Sequence, residues 1–140
     1  MLAFDLFLPP GGHVPAQHAH PIQEERFTVV EGELEFRVGR RNIHASPGET
    51  IVVPPRTTHW FGNRGATPAH ARVEVRPALR MEELLARSEQ FGRSPGARLS
   101  QLALVLLEFR RELAVPFVPE GLVRLALAPF ALWRRAHAHS

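Results

Sequence analysis

The hydrophobic pattern changes period once along the chain. From Ala3 to about Pro77, short runs rich in β-branched and aromatic residues (FTVV, ELEFRV, TIVV, HWF and ARVEV) are separated by Gly and Pro turns. Many short strands at close spacing predict a sandwich or small barrel. Alternation is cleanest over 33–38, where Leu34, Phe36 and Val38 share one face and Glu33, Glu35 and Arg37 the other, so one face is expected to be buried and the other wet. Extended from Glu25, the same parity turns Phe27 and Val29 inward, with Phe36, Ile51, Val53, Phe61, Val73 and Val75 as further core candidates.

After Pro77 the period becomes helical. Positions 80–91 carry acids in the first turn and apolar side chains at Met81, Leu84 and Leu85. A Ser-Pro-Gly break follows, and 99–115 places Leu99, Leu102, Ala103, Leu106, Phe109 and Leu113 on one stripe, predicting a second helix ended by Pro116 and Pro119. The expected organisation is a β barrel over 1–78 and a helical extension over 79–140 that packs on the barrel or on a second protomer.

Composition narrows the chemistry. The 140 residues hold no cysteine, which excludes disulfides, thiolate metal sites and a cysteine nucleophile, so any metal must rest on imidazole and carboxylate. Against 14 Asp and Glu stand 17 basic residues, all Arg, for a net charge of only +3. No basic run with interleaved aromatics precedes the C-terminus, so nucleic acid is not an expected partner. The N-terminus lacks a positive segment followed by a long apolar stretch, so no secretory signal is expected and a cytoplasmic location is the default.

His18 and His20 are two apart, so in an extended segment both imidazoles leave the same face and can reach one ion. Glu25 can return a carboxylate to that point. Its neighbour Glu24 points the opposite way. His59 must arrive from another strand, across a gap that only a closed sheet would bridge.

These residues resemble the cupin family. Its first motif (Gly, five residues, His-x-His, three or four residues, Glu, six residues, Gly) is matched by Gly12, His18, His20, Glu25 and Gly32. Its second (Gly, five residues, Pro-x-Gly, two residues, His, three residues, Asn) is matched by Gly48, Pro54, His59 and Asn63, with Arg56 standing where the second Gly is expected. The resemblance implies a mainly β double-stranded β-helix, or jelly-roll barrel, with the C-terminal α-helical appendage outside it. It also implies that His18, His20, Glu25 and His59 bind one metal inside the barrel and that the Gly, Pro and Asn positions support turns.

Three imidazoles and one carboxylate complete a tetrahedral zinc site, whereas iron, manganese, nickel or copper would keep one or two open positions. The leading expectation is one divalent transition metal with an open position for a small, partly aromatic or enol-type organic ligand, in a dioxygenase-type oxidoreductase with Glu25 as the base. The alternative is a non-catalytic sensor or binding module. Arg56 is expected to reshape its turn without removing a ligand.

Several features fall outside that constellation. Positions 92–96 fit the hydrolase elbow pattern G-x-S-x-G, but Pro95 removes the N–H that would build the oxyanion hole. His137 and His139 repeat the His-x-His spacing at the terminus, and His13, His44 and His70 have no partner in register. The apolar stretch 121–133 is too short to span a bilayer and contains Arg124 and Pro129. With Arg134 and Arg135, the segment 121–135 suits peripheral membrane contact or, preferentially, burial against the barrel or in a homodimer.

Overall fold

A computed structural model of the chain describes residues 1–91, 98–116 and 118. Seven antiparallel strands come first: β1 (Leu2–Leu8), β2 (Glu24–Glu31), β3 (Leu34–Val38), β4 (Arg41–Ala45), β5 (Thr50–Val53), β6 (His59–Gly62) and β7 (Ala69–Arg76). Helices α1 (Met81–Phe91) and α2 (Arg98–Glu108) follow. The strands form a four-stranded sheet in the order β1-β7-β2-β5 and a three-stranded sheet in the order β4-β3-β6. This is a mainly β double-stranded β-helix with a small helical element, as the strand pattern and motifs imply. The β4 segment RNIHA was not legible as a strand, because Arg41, Asn42 and His44 face solvent and Ile43 and Ala45 alone point inward.

Parity along β2 sets the interior. Glu25, Phe27 and Val29 are buried while Arg26 and Val30 are exposed, and a register shift between Val29 and Glu31 ends the alternation. Facing them from the other sheet are Leu34 and Phe36 of β3, with Val53, Val73 and Val75 closing the core. The rings of Phe27, Phe36 and Phe61 meet with centroids 5.0 to 6.2 Å apart. Tilted aromatic contacts of this kind add about 0.5–1.5 kcal/mol per pair to the gain from burial. Ile51 and Phe61 are only partly buried, at the margin of the same cluster. All eight apolar positions that parity nominates therefore belong to, or pack on, this core.

Two turns secure the frame. Gly32 has φ of 71°, and a Cβ there would lie 2.5 Å from the Pro68 carbonyl oxygen, so the position excludes any side chain on both conformational and steric grounds. Asn63, 1% exposed, donates from Nδ2 to the carbonyls of Leu8 and Thr67 at 3.0 and 2.8 Å, and its Oδ1 accepts from the Gly65 N–H at 2.9 Å. It thereby ties the end of β1 to the connection between β6 and β7.

The second helix stops earlier than its periodicity predicts. α2 ends at Glu108 instead of reaching Val115, and residues 109–114 turn back onto the barrel. Competing partners explain the stop: Ala114 exchanges two backbone hydrogen bonds with Ala19, at 2.7 and 2.8 Å, which takes its peptide groups out of any helix. The buried stripe shifts accordingly. Ala103, Val105 and Phe109 are buried, joining Met81 and Leu84 of α1, whereas Leu102 is 47% exposed. No helix among the described residues is long and apolar enough to cross a membrane. The elbow-like sequence 92–96, the apolar stretch 121–135 and the terminal His137 and His139 lie outside the described residues.

Candidate metal centre

The four side chains singled out in the sequence converge. One ligating atom from each of His18, His20, Glu25 and His59 lies within 4.8 Å of the others. Glu25 reaches the point by the inward parity of β2, while Glu24 faces outward and pairs with Arg26 at 2.7 Å. His59 opens β6, and the segment bearing His18 pairs with it directly: His18 N–H to His59 carbonyl at 3.0 Å, and the reverse at 2.8 Å. That pairing bridges the gap between the two motifs, which local sequence could not show.

Each imidazole is fixed from behind. His18 Nδ1–H donates to the Ala16 carbonyl and His59 Nδ1–H to the Thr57 carbonyl, both at 3.1 Å, and His20 Nδ1–H donates to the Glu112 carbonyl. With the Nδ1 proton so placed, every Nε2 presents a lone pair, which is the tautomer a metal takes. His20 Nε2 lies 3.2 Å and His59 Nε2 2.9 Å from Glu25 Oε2. In the neutral tautomer no hydrogen stands between these atoms, so they are buried acceptors facing one another without a partner. Such an arrangement is costly unless a cation, or a proton, occupies the middle.

The spacing suits a metal. With metal–donor bonds of about 2.1 Å, two donors on one ion sit roughly 3.0 Å apart at right angles and 3.4 Å apart at the tetrahedral angle. The observed separations from Glu25 fall in that interval or just below it. His59 is fully buried, His20 and Glu25 are 4% and 6% exposed, and His18 at 9% stands on the accessible side.

Protons compete for the same place. Burial works against ionising Glu25, but contacts with His20 and His59 outweigh it and draw the carboxyl down to about 2. Burial and the neighbouring imidazoles push His18 down to about 4. For His20 burial favours the neutral ring, yet the Glu25 carboxylate more than offsets it, and the net direction is upward.

Arg56 adopts φ of 64°, the left-handed conformation for which the motif uses Gly. The turn shape is retained in spite of the substitution, and the Arg56 N–H donates to the His20 carbonyl at 2.8 Å. Sequence reasoning missed two supports. Gln23, 1% exposed, donates from Nε2 to the carbonyls of Pro77 and Ala78 at 2.9 and 3.0 Å. Glu112 supplies its carbonyl to His20, and a backbone group leaves no sequence signal. Of the remaining histidines, His44 is exposed, 3.3 Å from Glu35, and His13 is exposed. His70 does have a partner: it stacks on Phe7 and sits 2.9 Å from Asp5.

Residues 5–75 match the model of the cupin domain family. The chain belongs to that family. It is 30% identical over 77 residues to the tetracenomycin polyketide synthase protein TcmJ of Streptomyces glaucescens, a match covering 55% of this chain and 51% of that protein. The chain thus spans about half the length of the curated relatives it matches. A Klebsiella pneumoniae protein with a double-stranded β-helix domain superposes with a TM-score of 0.51 at 27% identity, over 55% of this chain and 67% of the other. A predicted oxalate decarboxylase from Thermotoga maritima shares the fold with a TM-score of 0.50 at 23% identity, over 53% and 64% of the two chains.

Proposed function

We propose that His18, His20, Glu25 and His59 hold one divalent transition-metal ion, and that the protein binds a small organic ligand at a remaining coordination position as a dioxygenase-type oxidoreductase. One observation carries the reading: His20 and His59, with their Nδ1 protons committed to carbonyls, turn Nε2 lone pairs on one buried carboxylate at 3.2 and 2.9 Å, and His18 completes the cluster. Bound there, iron, manganese, nickel or copper would supply Lewis-acid polarisation of an enol or carbonyl oxygen and a place for oxygen chemistry, whereas zinc would be tetrahedrally complete.

The chain's own residues set the rest. Glu25 is assigned as the base, the carboxylate facing the imidazoles being the group at the site able to accept a proton from an enolisable ligand. His18 marks the accessible side, and Phe61, with its ring centroid 6.5 Å from that of His18, gives the approach an aromatic wall. The likeness to a polyketide synthase protein supports a ligand with enolisable carbonyl groups.

A second reading, a non-catalytic binding module, draws on the poverty of acid and base groups. The chain has no Tyr, and among the described residues the buried carboxylates are Glu25 and Glu112, the latter accepting the Arg80 N–H at 3.3 Å.

Elemental analysis of the purified, tag-free and dialysed protein beside its His59→Ala variant tests the site. About one equivalent of iron, manganese, nickel or copper, lost in the variant, is expected. No metal in either protein after reconstitution defeats the proposal. Oxygen uptake with 1,3-dicarbonyl and catechol compounds then separates turnover from binding alone.

A further inference from the structure

We propose that residues 109–114 form a strap that positions His20, so that metal occupancy and the docking of the C-terminal extension stabilise one another. The inference rests on the metal-site reading above and goes beyond it.

The three imidazoles are not supported alike. His18 and His59 find their carbonyl acceptors two residues away, in Ala16 and Thr57, so their orientation is set within their own loops. His20 finds its acceptor 92 residues away, in Glu112. That residue lies outside the 5–75 region that matches the family model, so one side chain of the centre is aimed by a part of the chain beyond the matched region.

The strap is built to stay in place. Ala19, between the two histidines, pairs with Ala114 through two short backbone hydrogen bonds, adding an extended rung beside the ligand segment. Phe109 is fully buried, and the Arg80 guanidinium lies 4.7 Å from its ring centroid. Arg80 also pairs with Glu108 at 3.0 Å, and its N–H reaches the Glu112 carboxylate. Gln23, on the ligand loop itself, grips the chain just before the extension, at Pro77 and Ala78. Undocking would strip His20 Nδ1–H of its acceptor and free the ring to turn. Loss of such a supporting hydrogen bond typically lowers metal affinity 10–100-fold. Thermodynamic reciprocity requires that metal favour the docked strap by the same factor.

Cobalt(II) titration of the full chain provides the test, with wild type, Ala114→Pro, which removes the N–H bonded to Ala19, and Ala114→Ser, which keeps it. Melting curves establish that each variant is folded. The expected result is a 10–100-fold weaker cobalt affinity for Ala114→Pro and a near wild-type affinity for Ala114→Ser. In the unmodified protein, hydrogen exchange at the Ala114 amide should slow about tenfold or more on cobalt binding, beyond any change at the amides of β1. A folded Ala114→Pro variant that binds as wild type, with Ala114 exchange unmoved, overturns the strap and leaves the metal site standing. Wild type that binds no cobalt overturns both. Should Ala114→Pro not fold, exchange in the unmodified protein decides.

Discussion

The imidazole of His20 donates its Nδ1 proton to the carbonyl of Glu112, so a side chain of the candidate centre is braced by a residue 92 positions further along the chain. The brace leaves His20 Nε2 as a bare lone pair 3.2 Å from Glu25 Oε2. On the proposed reading, metal affinity and the cost of the metal-free site would have a common source.

Glu25→Gln is expected to separate the two. The neutral amide offers an N–H to the facing Nε2 atoms, which relieves the buried unpaired groups. In chelator-treated samples at alkaline pH, where no proton bridges the His20–Glu25 pair, the variant should be about 1–2 kcal/mol more stable to urea than wild type. The same change removes the anionic ligand, so bound metal should fall well below one equivalent. A variant that is both less stable as apo-protein and still loaded would contradict the arrangement described.

At Arg56 a side chain occupies a left-handed turn. A left-handed conformation costs a non-glycine residue roughly 1–2 kcal/mol, which the flexibility of Gly in the unfolded chain partly offsets. Arg56→Gly should therefore stabilise the protein by about 0.5–1 kcal/mol in equilibrium denaturation. Metal content should not change, because the N–H that meets the His20 carbonyl is retained.

Phe36 is 1% exposed and touches the rings of Phe27 and Phe61, while no imidazole of the metal cluster stacks on it. Phe36→Ala is predicted to cost about 3–5 kcal/mol, as for other buried aromatic truncations. Whatever fraction remains folded should bind metal at the wild-type stoichiometry, measured by elemental analysis after size exclusion.

The surface pair Asp5 and His70 gives a pH signature remote from the centre. The hydrogen bond from His70 is the main influence on the Asp5 carboxyl; with the nearby Arg72 it outweighs slight desolvation and holds the pKa below its ordinary value of 3.8. A carboxyl depressed in the folded state contributes stability above its unfolded pKa and loses that contribution as pH falls through the folded one. NMR titration of His70→Ala should show the Asp5 midpoint moving upward. An unmoved midpoint would assign the depression to Arg72 alone.

His18 and His20 share a face by their two-residue spacing, whereas Glu25, an odd number of residues from both, has the wrong parity for one continuous strand; the bend at Pro21 and Ile22 resets the alternation before β2, so that Glu25 and not Glu24 turns inward, a choice the sequence reading owed to the family motif. The core, from Phe27 to Val75, was legible because alternation within each strand fixes its inward face. The convergence of His59 depends on its pairing with the His18 segment, a tertiary event that entered the sequence reading only through the family resemblance. The early end of α2 escaped because Leu106, Phe109 and Leu113 keep helical spacing, while the groups that stop the helix are the peptides of Ala19 and Ala114. Polar support from Gln23 and the Glu112 backbone has no periodicity to betray it. His70 was set aside as unpartnered because Asp5 lies on a neighbouring strand, 65 residues away.

His18, His20 and Glu25 lie within one short stretch of chain, and only His59 comes from a distant strand. An unfolded molecule accordingly retains most of a chelate, able to hold an ion loosely before any sheet has closed. Ligand binding to the unfolded state subtracts from the stabilisation that binding confers on the native one. Metal should thus raise the melting temperature by less than its native-state affinity alone would dictate, and the shortfall should shrink when His18 or His20, rather than His59, is the ligand removed.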